Sequence, residues 1–130
     1  MSHNKEAIET NKAPKAIGPY SQAISQGPFI FCSGQIAIDY STGKLTESGI
    51  EKQTKLVLKN LQAVLEVKNL KLDSVVMTRI YLKDFKDFQA VNEVYSHFFK
   101  APHPARATIG VKELPLGALV EIEAIAMKNS

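Results

Sequence analysis

Two stretches of the chain carry apolar residues at the spacing of one helical face. The first follows Ser48 and Glu51, whose S-x-x-E spacing is typical of a capping box at a helix N-terminus. Its stripe consists of Thr54, Val57, Leu58, Leu61, Val64 and Leu65, with Lys68 in the last turn. The second is expected to start after Asp87 as N-cap and to end before the prolines at 102 and 104; its stripe is Phe88, Val91, Val94, Tyr95, Phe98 and Phe99. The pattern predicts two amphipathic helices.

The other apolar residues alternate with polar ones or form short β-branched runs, which is typical of strands. These runs span residues 20–25, 29–38, 75–83, 105–111 and 118–127. Ser33-Gly34 interrupts the second run, and a glycine inside a strand often marks a bulge or a close approach by a ligand. The predicted order is β-β-α-β-α-β-β, an α+β fold in which two helices cover a mixed or antiparallel sheet. The last two runs are expected to form a hairpin, and a subunit partner is expected to cover the free sheet face.

The length of 130 residues suits one domain, and 45% apolar with 22% charged residues describes an ordinary globule. We therefore assign residues 1–130 to a single domain. Residues 1–16 are expected to form a loosely ordered arm, because they are polar and lack periodicity. No apolar run reaches the length of a membrane span, and the N-terminus lacks the apolar core of a signal peptide. With only one cysteine, Cys32, these features favour the cytoplasm.

The net charge of +3 is mild, and the fourteen lysines are scattered rather than clustered. A nucleic-acid-binding protein normally concentrates its cations on one surface, so we expect no such partner. The three histidines lack metal-ligand spacing, and the glycines match no phosphate-binding loop. We expect no metal, no nucleotide and no organic cofactor, and we interpret Cys32 as a buried structural thiol.

Two charged residues of the predicted terminal hairpin are candidates for chemistry. If the turn is centred between Pro115 and Leu116, Arg106 and Glu121 share one face of the sheet, roughly 13 Å apart along the strand. That distance is too long for a salt bridge but suits the two ends of one pocket. An arginine fork binds a carboxylate through two parallel hydrogen bonds, and a glutamate can activate a water. The alternative is that both are ordinary charges on an exposed strand.

Two further residues are unusual for their positions. Asn92 lies within the apolar stripe of the second helix, where its amide needs hydrogen-bond partners. It either ties the helix to a buried loop or reaches a ligand. Tyr20, after Gly18-Pro19, either covers a pocket from a loop or packs in the core.

Several spaced motifs identify a family. They are AIGPYSQA at 16–23, SGQ at 33–35, VNEVY at 91–95, PARAT at 104–108, LP at 114–115 and VEIEA at 120–124. In this order they resemble the motifs of the RidA (YjgF-like) reactive intermediate deaminase family, and the resemblance extends from about residue 10 to residue 128.

The resemblance implies a chorismate-mutase-like α+β subunit, assembled as a homotrimer with clefts between subunits. It also implies the hydrolysis of reactive 2-imino acids and their enamine tautomers to 2-keto acids and ammonia, a form of metabolite damage control. The substrates would be 2-iminobutanoate and 2-iminopropanoate, and the reaction needs no cofactor because an imine carbon is already electrophilic.

The resemblance further implies roles for individual residues. Arg106 would bind the substrate carboxylate, and Glu121 would position and activate the attacking water. The pocket would be shaped by Tyr20, Ser33, Gly34 and Asn92. Thr108 occupies a position where many members carry cysteine, and its hydroxyl can still form a hydrogen bond.

The main hypothesis is therefore a cytoplasmic, homotrimeric imine deaminase. One alternative is a non-catalytic regulatory protein that binds small carboxylates through Arg106. The other is an endoribonuclease, an activity also attributed to the family, which the sequence supports poorly because it has no paired histidines and no basic stripe.

Overall fold

The computed structural model describes residues 4–129, which form an α+β fold with one large mixed sheet. The strands are β1 (Glu6–Ile8), β2 (Ala23–Gln26), β3 (Phe29–Gln35), β4 (Ile38–Asp39), β5 (Lys44–Leu45), β6 (Val75–Leu82), β7 (Ala105–Gly110) and β8 (Val120–Met127). The helices are α1 (Ile50–Glu66) and α2 (Phe88–Phe98). Six strands form the sheet in the order β1-β2-β3-β8-β6-β7, while β4 and β5 form a separate small hairpin. The predicted fold class is confirmed.

Both helices pack on the same face of the sheet. All six stripe residues predicted for α1 are buried there, and α1 contacts β3 and β8. On α2, Val91 and Tyr95 are buried, and the Tyr95 hydroxyl reaches Thr78 of β6. Burial of one such apolar side chain contributes about 1.5–3 kcal/mol, so the stripes dominate the stability of both helices.

The N-terminus of α1 differs from the prediction. Gly49 is the N-cap, with φ 95°, and no side chain caps the helix. The Ser48 hydroxyl instead lies 3.1 Å from that of Thr46 in the preceding loop. The predicted capping box is therefore not formed. The helix instead follows a glycine whose positive φ other residue types rarely adopt.

Three buried amides hold the loops against the core. Gln53 donates to the Thr46 carbonyl and accepts from the Leu119 amide, at 2.8 and 2.9 Å. Asn60 donates to the Ile38 carbonyl at 3.0 Å. Gln22 binds the backbone of residues 10–14 through both ends of its amide. These side chains satisfy loop groups that packing would otherwise leave without partners.

Part of the predicted loose arm is ordered. Glu6–Ile8 forms β1 at one edge of the sheet, where it pairs with β2, and Ile8 is buried. Glu6 forms an ion pair with Lys68, just beyond α1, at 2.5 Å. Residues 1–3 lie outside the described residues. The burial of one apolar side chain and the pairing with β2 explain why this polar segment is a strand.

The predicted hairpin between the last two strands is wrong. β6 lies between β7 and β8, pairing parallel with β7 and antiparallel with β8. The chain leaves β6, crosses through α2 and returns in the same direction as β7, as a parallel pair requires. β7 therefore forms the second edge of the sheet.

The face of the sheet opposite the helices is uncovered, and we call it the open face. It exposes Phe29, Phe31, Ile109 and Met127, each between 38% and 46%. Strand alternation places Glu121 and Glu123 of β8 on the same face. Neither helix in residues 4–129 is long and apolar enough to cross a membrane.

Candidate active site

A bulge in β3 gives Glu121 its position. Cys32 pairs with Ala124 and Gln35 with Ile122, so β3 carries one residue more than β8 between these pairs. The Glu121 side chain lies over Gly34 within this bulge. A Cβ atom on residue 34 would overlap the carboxylate oxygen Oε2 and lie 2.9 Å from Cδ. Of the two alternatives that Ser33-Gly34 left open, the structure shows the bulge, and the missing side chain of Gly34 leaves the space that the carboxylate fills.

The segment that carries Tyr20 lies beside the same bulge. Ser33 donates from its hydroxyl to the Ser21 carbonyl at 2.6 Å and from its amide to the Gln22 carbonyl at 3.0 Å. Tyr20 is 55% exposed on the loop rather than packed in the core. We call Tyr20, Ser33, Gly34 and Glu121 the glutamate half-site.

Glu121 is electrostatically suited to accept a proton. Burial is the main cause that raises the pKa of its carboxyl, and the neighbouring charge of Glu123 raises it further. No hydrogen bond or ion pair reaches the Glu121 carboxylate from any residue in the described part of the chain. A half-buried carboxylate without a donor is a stronger base than an exposed one.

Arg106 lies on an aromatic platform. Its Cζ atom is 5.0 Å from the ring centre of Tyr95 and 5.7 Å from that of Phe88. The Tyr95 hydroxyl lies 2.7 Å from Thr78 Oγ1 in the core, which fixes the ring. Within residues 4–129 no carboxylate pairs with Arg106. The guanidinium is thus held in place by stacking on the two rings, while its N–H groups stay available to bind a ligand.

Asn92 and Thr108 add two donors beside Arg106. Asn92 shares the face of α2 with Phe88 and Tyr95, is half-buried, and forms no side-chain hydrogen bond with the described residues. The loop tie considered for Asn92 is therefore not formed. Thr108 follows Arg106 by two positions on β7, and its hydroxyl oxygen is buried without a partner. We call Arg106, Asn92 and Thr108 the arginine half-site, a donor set suited to a carboxylate.

The two half-sites lie apart within one chain. Thr78 of β6 pairs with Arg106 on one side and with Ala124 on the other, whereas Tyr81 pairs with Glu121. Arg106 therefore faces the helices and Glu121 the open face, two strand spacings or about 10 Å apart across the sheet. The predicted shared face is wrong, because the insertion of β6 changes the register.

Glu123 has two partners that the sequence pattern did not indicate. Tyr81 donates its hydroxyl to Glu123 Oε1 at 2.5 Å, and Arg79 Nη1 donates to Oε2 at 3.1 Å. The alternation of residues 75–83 places Arg79 and Tyr81 on one face. Without the pairing of β6 with β8, however, nothing connected them to the glutamates.

Cys32 is a buried thiol, as predicted. Cys32 is buried, and burial raises the pKa of its thiol to about 12, so it holds its proton at neutral pH. Residues 4–129 contain no group of three or more His, Cys, Asp or Glu side chains placed to bind a metal ion.

Comparison with known proteins gives consistent matches over nearly the whole chain. The family described as Endoribonuclease L-PSP matches residues 10–128. A RutC family protein of Pyrococcus abyssi is 52% identical over 96% of this chain and 98% of its own. The 2-iminobutanoate/2-iminopropanoate deaminase of Homo sapiens is 44% identical over 96% of this chain and 91% of its own. The structure of E. coli TdcF with bound serine is 36% identical, with a TM-score of 0.90, and covers 95% of this chain and 99% of its own.

Proposed function

This chain belongs to the endoribonuclease L-PSP family, the RidA (YjgF-like) proteins, and from that premise we propose that it hydrolyses reactive 2-imino acids to 2-keto acids and ammonia. The observation that carries the proposal is the half-buried Glu121 carboxylate, held over Gly34 without a donor. The deaminase name of the human relative supports the reaction class. The substrates we propose are 2-iminobutanoate and 2-iminopropanoate.

In the proposed reaction Arg106 binds the substrate carboxylate with its fork. The Thr108 hydroxyl and the Asn92 amide supply further hydrogen bonds to the bound substrate. Charge-assisted hydrogen bonds of this kind are about twice as strong as neutral ones. The arginine half-site therefore fixes the orientation of the imine carbon. The entropy cost of bringing the reactants together is then largely met by substrate binding, before the chemical step.

Glu121 then acts as base and acid in turn. It takes a proton from water as the water oxygen bonds to the imine carbon and returns that proton to the imine nitrogen, which gives a carbinolamine. It then takes the proton of the carbinolamine hydroxyl and passes it to nitrogen, so that the C–N bond breaks and ammonia leaves as the carbonyl forms. One water enters and one ammonia departs, so the step needs no oxidant and no cofactor. General acid–base catalysis contributes about 10²–10⁴-fold, which suffices for an electrophile this reactive.

We propose that the site is completed between two copies of the chain, in a homotrimer. The arginine half-site and the glutamate half-site lie on opposite faces of the sheet, so a neighbouring copy must supply the missing half. The exposed apolar side chains of the open face support a self-association surface. A sedimentation mass of three subunits is the expected result, and a mass of one subunit would contradict it.

The experiment that tests the reaction is an imine-trapping assay. An amino-acid oxidase with catalase generates 2-iminobutanoate, and semicarbazide traps what survives. We expect the protein to lower the semicarbazone absorbance and Arg106→Ala to lose about a hundredfold in kcat/KM, because two charge-assisted hydrogen bonds disappear. Lys112→Ala, which removes an exposed cation close behind β7, is the matched control and should keep full activity. An unchanged absorbance with wild-type protein, with the oxidase working, would refute the deaminase.

The bound serine in the E. coli neighbour favours a second candidate, a regulatory protein that binds small carboxylates. Glu121→Gln distinguishes the two. A deaminase loses turnover with nearly unchanged ligand affinity, whereas a binding protein has no turnover to lose.

The family description also names RNA cleavage. That candidate requires RNA degradation that purifies at constant specific activity with the protein and disappears in Arg106→Ala or Glu121→Gln. The cytoplasmic location and the assignment of residues 1–130 to one domain stay predictions.

A further inference from the structure

The two glutamates of β8 on the open face have unequal partners. Glu121 and Glu123 are two residues apart, so both side chains leave the same face of the strand. The Glu123 carboxylate accepts hydrogen bonds from the Tyr81 hydroxyl and the Arg79 guanidinium. The Glu121 carboxylate accepts no hydrogen bond from residues 4–129, although it lies on the same face of β8.

The register shows that this division is not simply a matter of nearest neighbours. Arg79 is directly opposite Glu123, but Tyr81 is directly opposite Glu121. The Tyr81 hydroxyl nevertheless reaches diagonally to Glu123 at 2.5 Å. This hydrogen bond is the main cause that raises the pKa of Tyr81, so the hydroxyl stays protonated and continues to donate. Glu123 therefore accepts hydrogen bonds from both Arg79 and Tyr81, the two donors of β6 on this face of the sheet.

The charged and titratable groups around Glu121 are few. Its own strand contributes Glu123, and β6 contributes Arg79 and Tyr81. On the other side, the β3 bulge contributes Ser33 and Gly34, which do not titrate. Among the charged side chains of the described residues, Glu123 is the one that shifts the pKa of Glu121, which it raises; neither Arg79, which is paired with Glu123, nor the exposed Lys83 shifts it. Within one chain, the division of donors between the two glutamates thus sets the local charge at Glu121. In the proposed assembly, the Arg106 guanidinium of a neighbouring copy adds the same positive charge in the wild type and in the variants below.

We propose that Glu123 is a positioning residue that engages Arg79 and Tyr81 and thereby keeps Glu121 unpaired and ready to accept a proton. This inference rests on the proposed function, in which Glu121 is the base. It assigns a task to three residues that touch no substrate. Without Glu123, the Arg79 cation and the Tyr81 hydroxyl would be free to bind Glu121 and neutralise it.

Two substitutions with opposite effects test the inference. Glu123→Gln keeps the shape of the side chain but removes the negative charge that binds Arg79. The pKa of Glu121 is therefore expected to fall, and the acid limb of the kcat–pH profile is expected to move to lower pH. We expect kcat at neutral pH to drop about tenfold, because the weaker base contributes less. Arg79→Met leaves the Glu123 charge uncompensated, so the pKa of Glu121 rises and the acid limb moves to higher pH. Its kcat at pH 8 should stay within about twofold of wild type.

The double variant Glu123→Gln/Arg79→Met closes the cycle. With no cation left to capture Glu121, it should regain most of the kcat that Glu123→Gln loses. A merely structural role would lower both single variants without moving their pH profiles in opposite directions. Shifts in the same direction, or no rescue in the double variant, would overturn the inference.

A measurement without substrate separates this inference from the proposed function. The ¹³C chemical shift of the Glu121 carboxyl is followed over pH. Its titration midpoint should lie at lower pH in Glu123→Gln and at higher pH in Arg79→Met than in wild type. If these shifts occur but no imine is hydrolysed, the deaminase fails and the electrostatic coupling stands. If imine is hydrolysed but both variants titrate like wild type, the coupling fails and the deaminase stands.

Discussion

At the scale of single residues, the space above Gly34 decides where the Glu121 carboxylate lies. The nearest atoms to a methyl group on residue 34 would all belong to the Glu121 side chain, which can move away without a shift of the backbone. We expect Gly34→Ala to displace the carboxylate and reduce kcat about tenfold to a hundredfold, while the free energy of unfolding changes by less than about 1 kcal/mol. Imine trapping and urea unfolding measure the two effects.

Gly110→Ala is the matched control for this substitution. Gly110 lies in β7 of the same sheet, and a Cβ there would make an ordinary contact of 3.5 Å with Phe85. The control should keep both activity and stability. If Gly34→Ala lost stability but kept its kcat, this would contradict the proposal that Gly34 leaves space for the Glu121 carboxylate.

The sequence predicts part of this residue-scale picture. Ser33-Gly34 in a strand indicates a bulge or a close approach by a ligand, and Asn92 in an apolar stripe indicates an amide with a special partner, since both residues conflict with the local pattern. The buried Thr108 hydroxyl without a partner leaves no such signal. Threonine is ordinary in a strand, and only the packing around it shows that its hydroxyl lacks a partner.

At the scale of elements, one side chain anchors the N-terminal loop. Gln22 makes four hydrogen bonds to the backbone of residues 10–14, with distances from 2.7 to 3.3 Å. Its own carbonyl accepts from the Ser33 amide. We expect Gln22→Leu to cost about 3 kcal/mol, because buried loop groups lose their partners. Thermal unfolding and faster hydrogen exchange of the Thr10 amide would show it.

The exposed Gln89 provides the control for this loss. Gln89→Leu changes the same atoms on the outer side of α2 and should leave stability within about 0.5 kcal/mol. Equal destabilisation by both variants would show that the anchoring hydrogen bonds contribute little.

The helices were predictable and the strand neighbours were not. The stripes of α1 and α2 specify a buried face by their own periodicity, so local pattern suffices. Alternation with a period of two is the same in a hairpin and in a strand paired through a crossover. Nothing in residues 105–111 distinguishes a partner in β8 from a partner in β6.

At the scale of the whole molecule, the separation of the half-sites predicts complementation between inactive variants. Arg106→Ala keeps the glutamate half-site, and Glu121→Gln keeps the arginine half-site. Unfolded together and refolded as an equal mixture, they should regain about one quarter of wild-type activity, the share of random interfaces that combine two intact halves.

Each variant refolded alone is the control and should stay inactive. A mixture as inactive as its components would show that one chain supplies both halves of the site. The sequence could not predict this division, because the relative faces of Arg106 and Glu121 depend on the strand that lies between them.

The buried thiol of Cys32 has a practical consequence for such experiments. Cys32 is the single cysteine of the chain, and with a pKa near 12 it forms almost no thiolate at neutral pH. Maleimide dyes should therefore pass over it and attach to any cysteine introduced on the surface. The wild-type background is thus ready for fluorescent labelling, so that energy transfer between dyes can follow the exchange of copies in real time.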